Sequence, residues 1–328
     1  MNAEAALIID SEGRLTGLLT DGDIRRAFLA GADLHSPVTK AMTKNPLSIR
    51  DGLPGEEIVG FMLERKIRHL PVVDLEGRPI GLELLKNQYN TSSIAQAVLM
   101  AGGQGMRLRP LTENTPKPLL KVAGKTILDN VLDGLESSGI GEVVISVNYL
   151  GEKIKEHVAN TKRAHLGIDF VEESKALGTA GALSLLNPRP KAPFIVMNAD
   201  LITQIDFKSL SRFHAKEGNQ ISVCVRKVKE TVPYGVITLT KDTRSIADVE
   251  EKPEREYFVN AGIYMVNPEL IDLIPENQRF DMTSLIRKAI ESGRKAGAFP
   301  VYEYWRDIGR HQEMQAAEAD LSTSTHKS

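Results

Sequence analysis

Apolar and polar positions follow two different rhythms along this chain, and the change falls near residue 90. Before it, Leu7-Ile8-Ile9-Asp10-Ser11-Glu12-Gly13-Arg14 predicts strand, turn and strand, continuing through Gly17-Leu18-Leu19. Pro71-Val72-Val73-Asp74-Leu75-Glu76-Gly77-Arg78 repeats the pattern and continues through Gly81-Leu82. Between the two, Ile58, Val59, Met62 and Leu63 recur at helical spacing within Glu56 to Lys66. Residues 86–94 are polar and without period. After them, apolar strands alternate with amphipathic helices. Strands are predicted at Ala97–Ala101, Val143–Val147, Ile168–Val171 and Phe194–Met197. Thr126 caps a helix carrying Ile127, Leu128, Val131, Leu132 and Leu135, and Gly139 ends it. This alternation predicts an α/β fold with a mostly parallel, doubly wound sheet covered on both faces. Gln220 to Val266 is strand-rich and predicts an antiparallel addition.

The expected organisation is a module at 1–90, a linker at 91–95, a larger domain at 96–322 and a polar tail at 323–328. A chain of 328 residues suits two domains better than one. Its formal net charge is −2, with no basic stripe of the kind a nucleic-acid binder carries, so no nucleic-acid partner is expected. The only cysteine is Cys224 and the seven histidines are scattered, which excludes an internal disulfide and a Cys/His metal site. One thiol and no recognisable signal peptide predict a cytoplasmic location. Apolar runs are strand-length, too short to span a membrane.

The chemistry starts directly after the first strand of the larger domain. Gly102-Gly103-Gln104-Gly105 lets backbone N–H groups approach a polyphosphate with no Cβ in the way. A dinucleotide fingerprint is excluded because Leu108 stands where its third glycine belongs, and the Gly-Lys-Ser/Thr of a P-loop is missing. Arg107, Arg109 and the Lys117 of Pro116-Lys117-Pro118 supply fixed cations beside that loop, as a polyanion requires. Asn198-Ala199-Asp200 ends a strand, a place where an Asp commonly caps a helix.

Gly-Gly-x-Gly-x-Arg-Leu-x-Pro-Leu-Thr with Pro-Lys-Pro resembles the sugar-phosphate nucleotidylyltransferases, and the likeness continues in order over residues 96–320. Leu177-Gly178-Thr179-Ala180-Gly181, Tyr234-Gly235-Val236, Glu251-Lys252-Pro253, Asn260-Ala261-Gly262 and Trp305-Arg306-Asp307-Ile308-Gly309 each resemble a motif of that family. The loop departs from it at Met106, often a threonine in the family. The resemblance implies a Rossmann-like fold and a reaction joining a sugar 1-phosphate to a nucleoside triphosphate with release of pyrophosphate, for nucleotide-sugar and surface-glycan biosynthesis. It implies that Arg107 and Lys117 act on the phosphates and that Met100, Gly102, Gly103, Gly105, Glu173 and Gly178 hold the nucleotide. Tyr234, Gly235, Glu251, Lys252, Asn260 and Gly262 would hold the sugar phosphate, and Asp200 and Asp307 would hold Mg²⁺. A phosphate nucleophile is already anionic, so positioning and charge neutralisation carry the rate and no general base is needed.

Family members that take uracil or thymine carry a glutamine five residues before the glycine of the base-contacting turn; here Glu173 stands there. A carboxylate only accepts and can receive both N1–H and the 2-amino group of guanine, so Glu173 points to GTP. The bland alternative is a solvated Glu172-Glu173 strand end. The alternative functions are a thymidylyl- or uridylyltransferase, or a catalytically silent regulatory protein.

The first ninety residues resemble a pair of CBS domains, an α+β module. The second repeat spans about 39–85; the first is truncated, starting at its hairpin, so the native start is expected upstream or the module is trimmed. Thr20 and Asp23 match the family's ribose-holding Ser/Thr-x-x-Asp element, which implies an adenine nucleotide; they also fit a helix cap, the weightier reading. Leu84 and Asn87 break that pattern in the second repeat. The truncation is expected to leave Val72, Val73, Ile80 and Leu82 short of cover, predicting a homo-oligomer assembled partly through residues 1–90.

Overall fold

The computed structural model describes residues 5–85, 94–161, 163 and 165–324, and the side chains of all of these except 56, 323 and 324. Asn87, residues 91–93 of the predicted linker and the end of the predicted tail lie outside them. The chain divides into two compact units, Met1–Asn90 and Thr91–Ser328. No helix among the described residues is long and apolar enough to cross a membrane.

In the first unit the sequence repeat becomes a repeated turn. Asp10 Oδ1 accepts from the Glu12 and Arg14 N–H groups, both at 2.9 Å. Asp74 Oδ1 accepts from those of Glu76 and Arg78 at 3.0 and 2.8 Å. Those bonds, the one from the arginine first, hold both carboxyls below the usual carboxylate range. Gly13 and Gly77 both adopt φ 81°, which only glycine takes without strain. The strands Ala5–Ile9 and Leu15–Thr20 pair through one turn, His69–Val73 and Pro79–Leu84 through the other. The Leu15 N–H also donates to the Gly77 carbonyl at 2.9 Å, tying the two hairpins together. Helix Gly55–Glu64 packs Met62 against Ile49, Leu70 and Val72. The expectation that Val72 and Val73 lack cover is therefore corrected: both are buried, Val72 on that small core. Ile80 is the exposed one, at 55%, with Leu82 half-buried.

Thr20 caps helix Asp21–Leu29 through a reciprocal capping box. Asp23 accepts from the Thr20 N–H at 2.8 Å and hydroxyl at 2.6 Å, and its other oxygen takes Arg26. Both oxygens of Asp23 thus have partners inside the helix start, as a structural cap requires.

The second unit is built on a seven-stranded sheet. Its order is Gly167–Glu172, Glu142–Val147, Gln96–Met100, Phe194–Asn198, Glu254–Val266, Ile221–Thr231 and Ala296–Pro300. The first four strands are parallel. Glu254–Val266 runs antiparallel to both its neighbours, and the edge strand is parallel to the one beside it. Successive residues of a strand point to opposite faces, and here both faces are buried. Leu99, Ile145 and Ile195 enter one core with Leu128, Leu132 and Leu135 of helix Ile127–Ser137. Val98, Val144 and Val196 enter the other, with Leu285 of helix Met282–Glu291. Thr126 caps its helix as expected, accepting from the Asp129 N–H at 3.0 Å.

A buried polar cluster joins the antiparallel strands to helix Phe207–Glu217. His214, 4% exposed, bonds Ser222 Oγ through Nδ1 and Asn267 Oδ1 through Nε2, both at 2.9 Å. A helix end favours an imidazolium, yet burial outweighs it and holds the His214 pKa below its ordinary 6.5. The unfolded chain therefore takes the proton more readily than the native one. The resulting stability is fully present above the unfolded pKa and is lost as pH falls below it. The urea midpoint is expected to drop between about pH 7 and pH 5, and to drop less in His214→Gln. Equal pH slopes in the two proteins would exclude His214 as the cause.

Candidate active site

The site forms where parallel strands end, the general location of ligand sites in open α/β sheets. Gln96–Met100 runs into the glycine loop. Gly105 takes the left-handed conformation at φ 62°, and the Thr112 hydroxyl donates to its carbonyl at 2.8 Å. A Cβ on Gly105 would stand 2.9 Å from the Thr112 methyl, so the loop closes only around glycine. Leu108 is fully buried beneath it, while Arg107 remains exposed at the surface of the loop. Pro116 precedes a short 3₁₀ turn, Lys117–Leu119, which opens with Lys117 and contains Pro118.

Two acids reach the same place from distant segments. Asp200 follows strand Phe194–Asn198. Asp307 ends the short strand Trp305–Asp307, which pairs antiparallel with Leu201–Thr203 and puts Asp307 opposite Leu201. The Ile308 N–H donates to the Asp200 carbonyl at 3.0 Å, locking the two segments in register. Lys117 Nζ lies 2.5 Å from Asp200 Oδ2 and 3.7 Å from Asp307 Oδ1. Removal from bulk water and then the nearby Asp200 carboxylate push the Asp307 pKa up, against the pull of Lys117 and Arg107. Asp200 Oδ1 is buried without a hydrogen-bond partner. A buried oxygen left in that state fits a hard cation. No group of three or more His, Cys, Asp or Glu suited to a metal exists among the described residues. The protein would therefore offer two carboxylates, with water and phosphate oxygens completing an Mg²⁺ shell.

Glu173 is buried rather than solvated. The Ser146 hydroxyl donates to its Oε1 at 2.5 Å and the Leu177 N–H to its Oε2 at 2.7 Å. A Cβ on Gly102 would come within 2.5 Å of Oε1. One carboxylate thus connects a sheet strand, the glycine loop and the turn that carries Gly178. That turn is pinned from the other side: the Thr179 N–H donates to Asp281 Oδ1 at 3.0 Å, and the Ala180 and Gly181 N–H groups donate to the Phe280 carbonyl.

A cleft of about 330 Å³ opens between that turn and Asp307, lined by Thr179, Asn198, Asn260, Gly262, Asp281 and Asp307 among others; the glycine loop, Lys117, Glu173 and Asp200 are not among its lining residues. Of the residues expected to hold the sugar phosphate, Asn260 and Gly262 line it. Tyr234, Gly235, Glu251 and Lys252 lie at the exposed hairpin formed by Gly235–Leu239 and Ile246–Glu251, and are not among the lining residues. The cleft also holds residues that sequence reasoning left out. Asp281 precedes a helix and reads from sequence as a simple cap, yet its carboxylate makes no cap bond and crosses to Thr179 instead. Tyr264 sits mid-strand, and burial pushes its hydroxyl up to about 12, keeping it a proton donor.

Sheet, strand-end cleft and glycine loop are those of an α/β nucleotide-binding protein. A nucleotidyl transferase family model matches residues 96–324, and the chain belongs to that family. A CBS domain model matches residues 38–82. The chain is 35% identical over 225 residues to the mannose-1-phosphate guanylyltransferase catalytic subunit beta of Drosophila melanogaster, covering 67% of this chain and 60% of that protein. It is 31% identical over 229 residues to the mannose-1-phosphate guanyltransferase of Saccharomyces cerevisiae, covering 67% and 62%. It thus spans about three-fifths of the length of these relatives. Among solved structures, HddC from Yersinia pseudotuberculosis matches with a TM-score of 0.55 and 23% identity, over 69% of this chain and 99% of that one. The fold expected from sequence, α/β with a mostly parallel sheet, is the one found.

Proposed function

We propose that the protein is a sugar-1-phosphate guanylyltransferase: it joins GTP to a sugar 1-phosphate, forming a GDP-sugar and pyrophosphate for nucleotide-sugar and surface-glycan biosynthesis in the cytoplasm. The observation that carries this reading is the convergence of Asp200 and Asp307 on Lys117 beneath the glycine loop. Two polyanions that must meet in line need that kind of charge neutralisation. Arg107 and Lys117 would bind the triphosphate. Asp200 and Asp307 would hold Mg²⁺, which when bound supplies charge neutralisation at the transferring phosphate. Asn260 and Gly262 would receive the sugar phosphate. Tyr234, Gly235, Glu251 and Lys252 would join them from the hairpin. The curated relatives are named for mannose 1-phosphate, so that sugar is the first to test. A pyrophosphate-release screen of four nucleoside triphosphates against several sugar 1-phosphates is expected to give its highest turnover with GTP. No release with any pair would overturn the reading.

The lean to GTP rests on Glu173. Its oxygens take Ser146 and Leu177, but each has a second lone pair to offer N1–H and the 2-amino group of guanine. Glutamine keeps the shape: its carbonyl can still receive Leu177 N–H while its amide donates to Ser146 Oγ. In Glu173→Gln the ratio of kcat/KM for GTP to that for UTP is expected to fall about tenfold, about 1.4 kcal/mol. An unchanged ranking of the four nucleotides would show that Glu173 does not select the base.

For the CBS module, an adenine nucleotide at Thr20 and Asp23 is the proposed effector, and a homo-oligomer the proposed assembly. Binding there would require Asp23 to exchange its bonds to Thr20 and Arg26.

A further inference from the structure

We infer that Lys117 is a tethered cation that closes the acid pair in the nucleotide-free protein, so that metal enters that pair only together with the nucleotide. The inference rests on the reading of Asp200 and Asp307 as the metal pair and goes beyond it, because it concerns the free enzyme and the order of events.

Three observations carry it. Lys117 Nζ lies 2.5 Å from Asp200 Oδ2 and 3.7 Å from Asp307 Oδ1, so the ammonium already stands where the two carboxylates face one another. The Lys117 side chain is only 13% exposed, so this ion pair is partly shielded from water and salt. Asp200 Oδ1 is buried and has no partner, so the ammonium satisfies only part of what the carboxylate can bind. A divalent ion is the better partner for such a pair. The ammonium opposes its entry, because two cations held between the same two carboxylates repel.

The backbone around Lys117 is fixed by Pro116 and Pro118, whereas its side chain is a flexible four-carbon stem. The ammonium can therefore leave Asp200 without moving the loop, provided an anion receives it. A triphosphate lying along the glycine loop is such an anion and brings its own divalent ion. The exchange is then charge for charge: the metal takes the carboxylates as the ammonium moves to phosphate. Lys117 accordingly has two jobs. It keeps two like charges together before substrate arrives, and it prevents free metal from occupying the site alone.

The test measures Mn²⁺ binding to the full chain by electron paramagnetic resonance, with no turnover involved. Nucleotide-free wild type is expected to bind Mn²⁺ weakly and no better than Asp200→Asn. Nucleotide-free Lys117→Met is expected to bind it at least tenfold more tightly, with the gain lost in the Lys117→Met/Asp200→Asn double variant. Adding a non-hydrolysable GTP analogue is expected to tighten Mn²⁺ binding more in wild type than in Lys117→Met. Lys117→Gln serves as a second variant, and thermal melting checks that each is folded. Tight, Asp200-dependent Mn²⁺ binding by nucleotide-free wild type overturns the inference, whatever the variants do. So does a folded Lys117→Met or Lys117→Gln that binds no better than wild type, while wild type with the analogue shows Asp200-dependent metal. Absence of Asp200-dependent Mn²⁺ even with the analogue removes the metal-pair reading itself, and this inference with it.

Discussion

Asp200→Asn is expected to reduce kcat on the order of a hundred- to a thousandfold while leaving the melting temperature near that of wild type. The separation of the two readouts follows from geometry. Asp200 Oδ1 has no protein partner, and an amide oxygen can still accept from Lys117 in place of Oδ2. The bond that locks the fold at this point uses the Asp200 backbone carbonyl, which the substitution leaves alone. What disappears is one negative charge of the pair that would hold the metal, a loss of about 3–4 kcal/mol of transition-state stabilisation. Asp307→Asn is expected to act in the same direction. Rates close to wild type for both variants at saturating Mg²⁺ would remove the acids from the chemistry.

Gly178→Ala is expected to lower stability and nucleotide affinity together. Gly178 adopts φ 81°, and a Cβ there would lie 2.5 Å from Asp281 Oδ1 and 2.8 Å from the Phe280 carbonyl oxygen. The left-handed backbone alone costs an alanine about 1–2 kcal/mol. The contact with a backbone oxygen cannot be relieved by a rotamer change, so the turn at 177–181 has to move away from Phe280 and Asp281. Thr179, Ala180 and Gly181 then lose the acceptors that hold their N–H groups. We expect a melting temperature lower by on the order of 5 °C and a KM for GTP raised about tenfold or more. A variant that melts and binds like wild type would show that the turn tolerates displacement and does not shape the nucleotide pocket.

How far the sequence foretold these features depends on how local each one is. The strands at residues 96–100, 142–147 and 194–198 were legible because both sheet faces are buried, so apolar residues follow one another with little interruption. The helix at 127–137 was legible from its cap and period. The turns at Asp10 and Asp74 were legible as a repeat, since each turn makes its bonds within five residues. The environment of Glu173 was not, because Ser146 and Gly102 come to it from other segments of the chain. Asp281 escaped for the same reason: its partner Thr179 is 102 positions away. The burial of Val72 was not legible because its cover, Ile49 and Met62, comes from a strand and a helix of its own repeat. Tyr234 and Lys252 come to the sugar-phosphate site only through the family resemblance, because both lie at an exposed hairpin whose local pattern carries no chemistry of its own.

The pairing of Leu201–Thr203 with Trp305–Asp307 also bears on how the protein is made. Translation delivers Asp200 and Lys117 long before Asp307, and the strand that aligns the second acid emerges about a hundred residues after the first. A nascent chain on the ribosome can lay down the parallel core and the glycine loop while its acid pair is still incomplete. On the proposed reading, activity then arrives in one late step, when that short strand docks, and a chain released early by a premature stop is expected to be inert however well its core has folded.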